Sequence, residues 1–362
     1  MAIPYGRHQL DESDVQAVAD VLRGDWLTQG PAVTEFERAV ARACDVPHAV
    51  AFSSGTAALH GAAFAASANC GAYLGAVPRF ADIDPNTLNV TPATLQAAMS
   101  ERTRAVIPVH FTGLPAPMAE IRAAVGPNVC VIEDAAHALG AYTPDEPVGA
   151  CRHADMAIFS FHPVKAIAAG EGGMVTTRDP ELDARLRLFR THGITREPQL
   201  LTRPDEGAWY QEQIELGFNY RLSDIHSALG RSQMHKLERF ITERNQVAAR
   251  YREAFAGAEK VILPPAAPEG SRHAYHLFVI RHPEGASARR RLFDGLRERG
   301  VYAQVHYLPV YLHPYYAQAY GYAPGHCPAA EQYYESCLSL PCFPGLSPED
   351  QDFVVAAVSE LV

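Results

Sequence analysis

A chain of 362 residues exceeds what one hydrophobic core ordinarily covers, so two domains of unequal size are expected, at residues 1–255 and 256–362. With 48% hydrophobic and 20% charged residues and a net charge of −10, the composition is globular, and it argues against nucleic acid or an anionic membrane surface as the main partner. Seven cysteines without CxxC spacing suit reduced thiols in a cytoplasm, MAIPYGRHQLDESD reads as no signal peptide, and no apolar run approaches the roughly 18 residues of a membrane span.

Asp11–Leu22 opens with acidic and hydroxyl residues and continues with apolar residues at helical spacing, which predicts a capped amphipathic helix, and Val33–Cys44 predicts a second. His48–Ser53 reads as a strand that runs into Ser54-Gly55-Thr56 and then a helix of small residues. Further strands are expected at Arg79–Ile83, Ala105–His110, Val129–Glu133, Met156–Phe161 and Gly173–Thr177, with helices at Pro92–Met99 and Pro117–Val125. This alternation implies an α/β fold, a mostly parallel sheet with helices on both faces, whose ligands sit outside the carboxyl ends of the strands. Pro180–His192 is a predicted helix and 193–213 a polar loop. Three- and four-residue spacing from Ser223 to Phe255 predicts one long helix or a pair. After LPPAAP (263–268) comes a smaller α+β unit: strand His276–Arg281, helix Ala288–Arg299, strand Ala303–His306, and helices at Ala329–Leu338 and Pro348–Leu361. His273 and His276 have HxxH spacing but no nearby cysteine or acidic ligand, so no metal site is expected there.

The chemistry gathers at the strand ends. Lys165 lies between two apolar strands in a loop of small residues with Gly170, Gly172 and Gly173, where a ligand can approach the backbone; such a lysine suits carbonyl chemistry, although a solvated loop lysine fits the same pattern. Ser54-Gly55-Thr56 ends a strand and opens a helix, which suits a phosphate or a plain cap, and Ser160 could add a hydroxyl. Asp134 ends a buried strand, placed either to pair with a cationic ring nitrogen or to cap the next turn. A phosphate cup, an acid for a pyridinium nitrogen and a loop lysine are together what pyridoxal 5′-phosphate (PLP) requires.

SSGTAAL (53–59), VIEDAAHALGA (131–141), FSFHPVKAIAAGEGGM (159–174), GFNYRLSDIHSALG (217–230) and AQVHYLPVY (303–311) run in order through nearly the whole chain. In these stretches it resembles the DegT/DnrJ/EryC1/StrS sugar aminotransferases, which have the fold-type-I PLP architecture. The resemblance implies that Lys165 is the Schiff-base lysine, Asp134 the partner of the pyridine nitrogen, and His137 a neighbour of the ring near its phenolic oxygen. It implies that Gly55, Thr56 and Ser160 hold the phosphate, with Asn219 reaching it from the other subunit of a homodimer, and that Phe64 stacks on the ring. His306 and Tyr307 match residues near the sugar. IPYGRHQLDESD, DWLTQGP (25–31), HPVKAIAAGEGG and QVHYLPVY further resemble the transaminases of pseudaminic acid synthesis, which implies glutamate as donor and C4 of a UDP-linked 4-keto-6-deoxy-N-acetyl sugar as acceptor. Another nucleotide-linked keto sugar, or a non-catalytic dimeric homologue, stays open. The sugar dehydratases of the family replace the lysine by histidine, and Lys165 argues against them.

One stretch departs from the resemblance. From Gly55 to Val77 there are 23 residues, too few for two crossovers of about 10 to 12 residues and a strand of about 5 between them. One sheet strand is therefore expected to be missing between residues 55 and 78, leaving either a gap or a re-paired Arg79–Ile83, and Phe64 without its supporting loop.

Overall fold

The structure, a computed structural model, describes residues 2–62 and 67–362. Phe64 lies outside the described residues. In chain order, β1 (Ile3–Pro4) precedes α1 (Glu12–Arg23), α2 (Pro31–Ala43), β2 (His48–Phe52), α3 (Gly55–Ala62), α4 (Ser67–Tyr73), α5 (Pro92–Ala98), β3 (Ala105–Val106), α6 (Met118–Val125), β4 (Cys130–Asp134), β5 (Met156–Ser160), β6 (Gly173–Thr177) and α7 (Pro180–Phe189). There follow β7 (Ile194–Thr195), β8 (Glu212–Gln213), α8 (Asp224–Met234), α9 (Leu237–Ala254), β9 (Phe278–Arg281), α10 (Ala286–Glu298), β10 (Val301–Tyr302), α11 (Pro314–Tyr320), α12 (Pro328–Ser336), β11 (Cys337–Leu340) and α13 (Pro348–Leu361).

The central sheet has the order β2-β6-β5-β4-β3, parallel from β3 to β5 and antiparallel on both sides of β6. Its strands are apolar on both faces because both are covered. Val50, Phe52, Ile158 and Val175 pack with α3 and α7, while the alternate residues Ala49, Ala51, Phe159 and Met174 pack with α2 and α9. The paired acceptors of the Asp224 carboxylate take the N–H groups of Gly30 (2.8 Å) and Ala32 (3.0 Å), so α8 caps the start of α2 from across the fold. A separate core joins Ile3, Val247, Tyr251 and Phe255 to Phe278, Leu292, Leu338 and Val358. The stretch expected as a helix to Leu338 ends at Ser336, and β11 pairs antiparallel with β9.

Arg79–Ile83 is a correction: this segment forms no strand. Among the described residues no strand pairs with the outer edge of β3, and the C-terminal unit takes this segment instead. The Asp82 carboxylate accepts the N–H groups of Ala329 and Ala330 at the start of α12 (both 2.9 Å), and Phe80 packs among Tyr311, Tyr316 and Tyr322 at ring-centroid distances of 5.1–5.8 Å. The five-stranded sheet therefore stops at β3. The polar 193–213 stretch contains the small antiparallel pair β7–β8.

Candidate active site

Lys165 lies in the connection between β5 and β6, and that connection is pinned. Phe161 N–H donates to Gly172 O, Ala169 N–H to Phe161 O and Lys165 N–H to His162 O, each at 2.9 Å, and Ile167 and Ala169 are buried. The glycines thus serve close approach within a fixed loop. The guanidinium of Arg244 on α9, itself buried, donates to the carbonyls of Tyr275 (3.1 Å), His276 (3.3 Å), Cys342 (2.6 Å) and Lys165 (3.5 Å). One side chain so ties the lysine loop to the segment entering β9. Burial lowers the Lys165 ammonium to about 8, with the nearby Asp134 carboxylate acting in the opposite direction.

Asp134 ends β4, its N–H donating to Pro108 O (2.8 Å) and its C=O accepting from His110 N–H (3.0 Å). Its carboxylate accepts from Ala136 N–H (3.1 Å), and burial raises its pKa against the pull of that bond, Lys165 and His110. On the other face of β4 the buried Glu133 accepts from His110 Nε2 (3.0 Å) and Gly149 N–H (3.3 Å); since His110 Nδ1 accepts Ala116 N–H (2.8 Å), the proton sits on Nε2. His137 follows in the turn after β4, its ring centroid 4.2 Å from that of His276, and Nδ1 of each is buried with no hydrogen-bond partner among the described residues. Burial pushes both imidazoles far below their usual range. His306 bonds Ser339 through Nδ1 (2.7 Å) and is lowered to about 4 by burial, then by the Lys165 charge; Tyr5 packs on its ring at 5.1 Å.

Lys165, Asp134, Ala136, His137 and Tyr307 line one cavity of about 910 Å³. Lys165 and Asp134 are half-buried, and both line this cavity. Gly55, at the first turn of α3, sits on Ser160: a Cβ there would meet Ser160 Cβ at 2.8 Å and Oγ at 3.0 Å. Glycine is required for that contact. Thr56 follows it in the same turn, and Ser54 Oγ accepts Ala57 N–H (3.0 Å). Asn219 is exposed on this chain; its neighbour Tyr220 accepts Ser53 N–H through its carbonyl (2.8 Å). The structure thus brings Lys165, Asp134, His137 and Tyr307 together, sets Ser160 against Gly55, and buries His306 beside Tyr307. Sequence reading missed His276, Arg244 and the Glu133–His110 pair. Of these only His276 carried a signal, its HxxH spacing, and that spacing pointed to a metal.

Residues 8–359 match the DegT/DnrJ/EryC1/StrS aminotransferase family. The chain belongs to this family. It is 36% identical over 381 aligned positions to the spore coat polysaccharide biosynthesis protein SpsC of Bacillus subtilis, covering 99% of this chain and 97% of that protein. Helicobacter pylori PseC, an aminotransferase involved in pseudaminic acid biosynthesis, superposes with a TM-score of 0.91 at 29% identity, over 100% of this chain and 99% of that one. DesV of Streptomyces venezuelae, solved with a ketimine intermediate, gives 0.86 at 29%, over 99% and 98%. Aminotransferases of this family use PLP. The residues present fit that group: a half-buried lysine with a lowered pKa, an acid at the adjacent strand end, and a helix start where the backbone meets Ser160 with no side chain between. No helix among the described residues is long and apolar enough to cross a membrane.

Proposed function

We propose that this chain transfers the amino group of glutamate to C4 of a UDP-linked 4-keto-6-deoxy-N-acetyl sugar, as a UDP-4-amino-4,6-dideoxy-N-acetyl-β-L-altrosamine transaminase in the pseudaminic acid pathway. The observation that carries the reading is Lys165 and Asp134 on one cavity in a chain of this family, with the likeness to PseC favouring the acceptor. Bound PLP supplies the electron sink for the amino donor's α-carbon. Lys165 would hold the cofactor and, as a free amine, carry a proton at Nζ; with its pKa lowered to about 8, roughly a tenth of that amine is unprotonated at pH 7. Asp134 keeps the ring nitrogen protonated and His137 lies beside the ring. Gly55, Thr56 and Ser160 hold the phosphate, Asn219 acts from the second subunit of a homodimer, and His306 and Tyr307 face the sugar.

Incubation of the protein with PLP, glutamate and candidate UDP-keto sugars should yield one amino sugar; a different acceptor used in preference overturns the assignment of the sugar. Mixing Lys165→Ala with Asn219→Ala tests the shared site: each hybrid dimer keeps one intact site, so about a quarter of the unmodified activity returns on random exchange. Hybrids that form and stay inactive remove Asn219 from the site. The end of the sheet at β3 favours a second reading, a dimeric homologue without catalysis; it would bind PLP without covalent attachment to Lys165 and form no product.

A further inference from the structure

We infer that His110 and Glu133 form a buried pair that positions Asp134 from the open flank of the sheet; the inference rests on the role proposed above for Asp134. Toward β5 the end of β4 is held by the register that pairs Asp134 with Ile158. Toward β3 it exchanges two backbone bonds with the segment that continues that strand, Asp134 N–H donating to Pro108 O (2.8 Å) and His110 N–H to Asp134 O (3.0 Å). Among the described residues β3 is the last strand of its sheet, so this segment has no outer strand to hold it in place.

The His110 side chain supplies the missing hold. Its Nδ1 accepts Ala116 N–H (2.8 Å), and its Nε2–H donates to Glu133 Oε2 (3.0 Å), which also accepts Gly149 N–H (3.3 Å). Both side chains are buried, where such bonds are strong and fix the ring in one orientation. The contacts close on themselves: His110 holds the Asp134 carbonyl through its backbone and grips, through its ring, the residue directly before Asp134. Stability alone does not account for the pair. Glu133 Oε1 is buried with no hydrogen-bond partner among the described residues, a cost that an apolar side chain in the same space would not incur. A costly polar group next to the acid of the site points to positioning.

The test uses the full chain loaded with PLP labelled at its ring nitrogen, whose NMR shift reports whether that nitrogen is protonated. Asp134→Asn sets the scale, since it removes the acid itself. Glu133→Leu and His110→Phe should each lower the proton affinity of the ring nitrogen about tenfold, and the double variant should lower it no further. Glu133→Gln keeps an oxygen for His110 and Gly149 and should restore the unmodified value. Additive losses in the double variant, or no rescue by Glu133→Gln, overturn the inference. So does a ring nitrogen that moves in Asp134→Asn but in neither single variant, an outcome that leaves the role of Asp134 intact. A ring nitrogen unmoved by Asp134→Asn overturns that role first, and the inference falls with it. The unmodified pair provides a second measurement: the Nε2 proton resonance of His110 should shift when PLP is loaded and should not shift on loading of Asp134→Asn. A resonance that ignores loading, or that responds equally in both chains, overturns the inference even where the variants of the pair do not fold.

Discussion

The two flanks of β4 differ in how their backbone is satisfied. Toward β5 every strand has its neighbour: Ile132, Glu133 and Asp134 pair with Met156, Ala157 and Ile158, and the loop that carries Lys165 is held by three backbone bonds and by Arg244. Toward β3 the sheet simply ends, and Arg79–Ile83 has gone to the C-terminal unit through Asp82 and Phe80. Lys165 is thus positioned by the half of the sheet that does not need the absent strand, whereas Asp134 is held from both flanks, by its pairing with Ile158 and by its backbone bonds to Pro108 and His110. The open half borders the same cavity from the other side.

The largest expected effect breaks the closed flank at its centre. Lys165→Ala should lower transamination roughly 10⁴-fold, since it removes both the covalent anchor and the proton carrier. Borohydride reduction of the unmodified protein with PLP should place a pyridoxyl group on Lys165 in a peptide map; a label on another lysine refutes the role. If Asp134 has the proposed role, Asp134→Asn should lower turnover roughly 10²- to 10³-fold while PLP stays bound, because a neutral amide cannot hold the ring nitrogen protonated and the phosphate contacts proposed for Gly55 and Ser160 would be untouched. Near-normal turnover with full cofactor occupancy would count against it.

Packing gives the direct contrast between the flanks. Ile158 is fully buried in β5 and Ile107 half-buried on the open edge. Ile158→Ala should cost about 2–5 kcal/mol and Ile107→Ala about 1, measured by urea unfolding. Equal costs would mean that the edge is as well packed as the centre.

The sequence made one flank legible and obscured the other for the same physical reason. Gly55, Asp134, Ser160 and Lys165 lie at strand ends inside short contiguous stretches, so local pattern was enough to bring them to one end of the sheet. Arg79–Ile83 has the local pattern of a strand, but a strand exists only with a neighbour, and the count of 23 residues before it showed the neighbour missing without showing where the segment would go. Tyr5 and His276 reach the site from positions far apart in the chain, and Arg244 lies within the regular spacing of α9. No local signal marks such long-range contacts. CLSL (337–340) continued a helical spacing, and only its pairing with β9 makes it a strand.

The smallest effect concerns acid stability, and it comes from His273, a buried histidine ahead of β9. His273 is buried with Nδ1 accepting Tyr275 N–H (2.8 Å) and its ring stacked 3.9 Å from that of Tyr275. A proton on Nδ1 would have to displace that bond, and burial, followed by the charge of Arg252, lowers the imidazole to about 3. An unfolded histidine takes its proton near 6.5, so between that pH and about 3 the unfolded chain binds one proton more than the folded one at this site, and stability falls as pH falls. Between pH 6 and 5 this single residue should remove about 1 kcal/mol. His273→Asn keeps an oxygen acceptor for Tyr275 N–H but cannot take the proton, so its urea midpoint should drop less over that interval than that of the unmodified chain. Asp134 works in the opposite direction, because its raised pKa makes the folded state take up a proton sooner on acidification. The comparison is therefore made between two chains that both contain Asp134, and an unchanged slope in His273→Asn would show that His273 titrates in the folded protein as it does in the unfolded one.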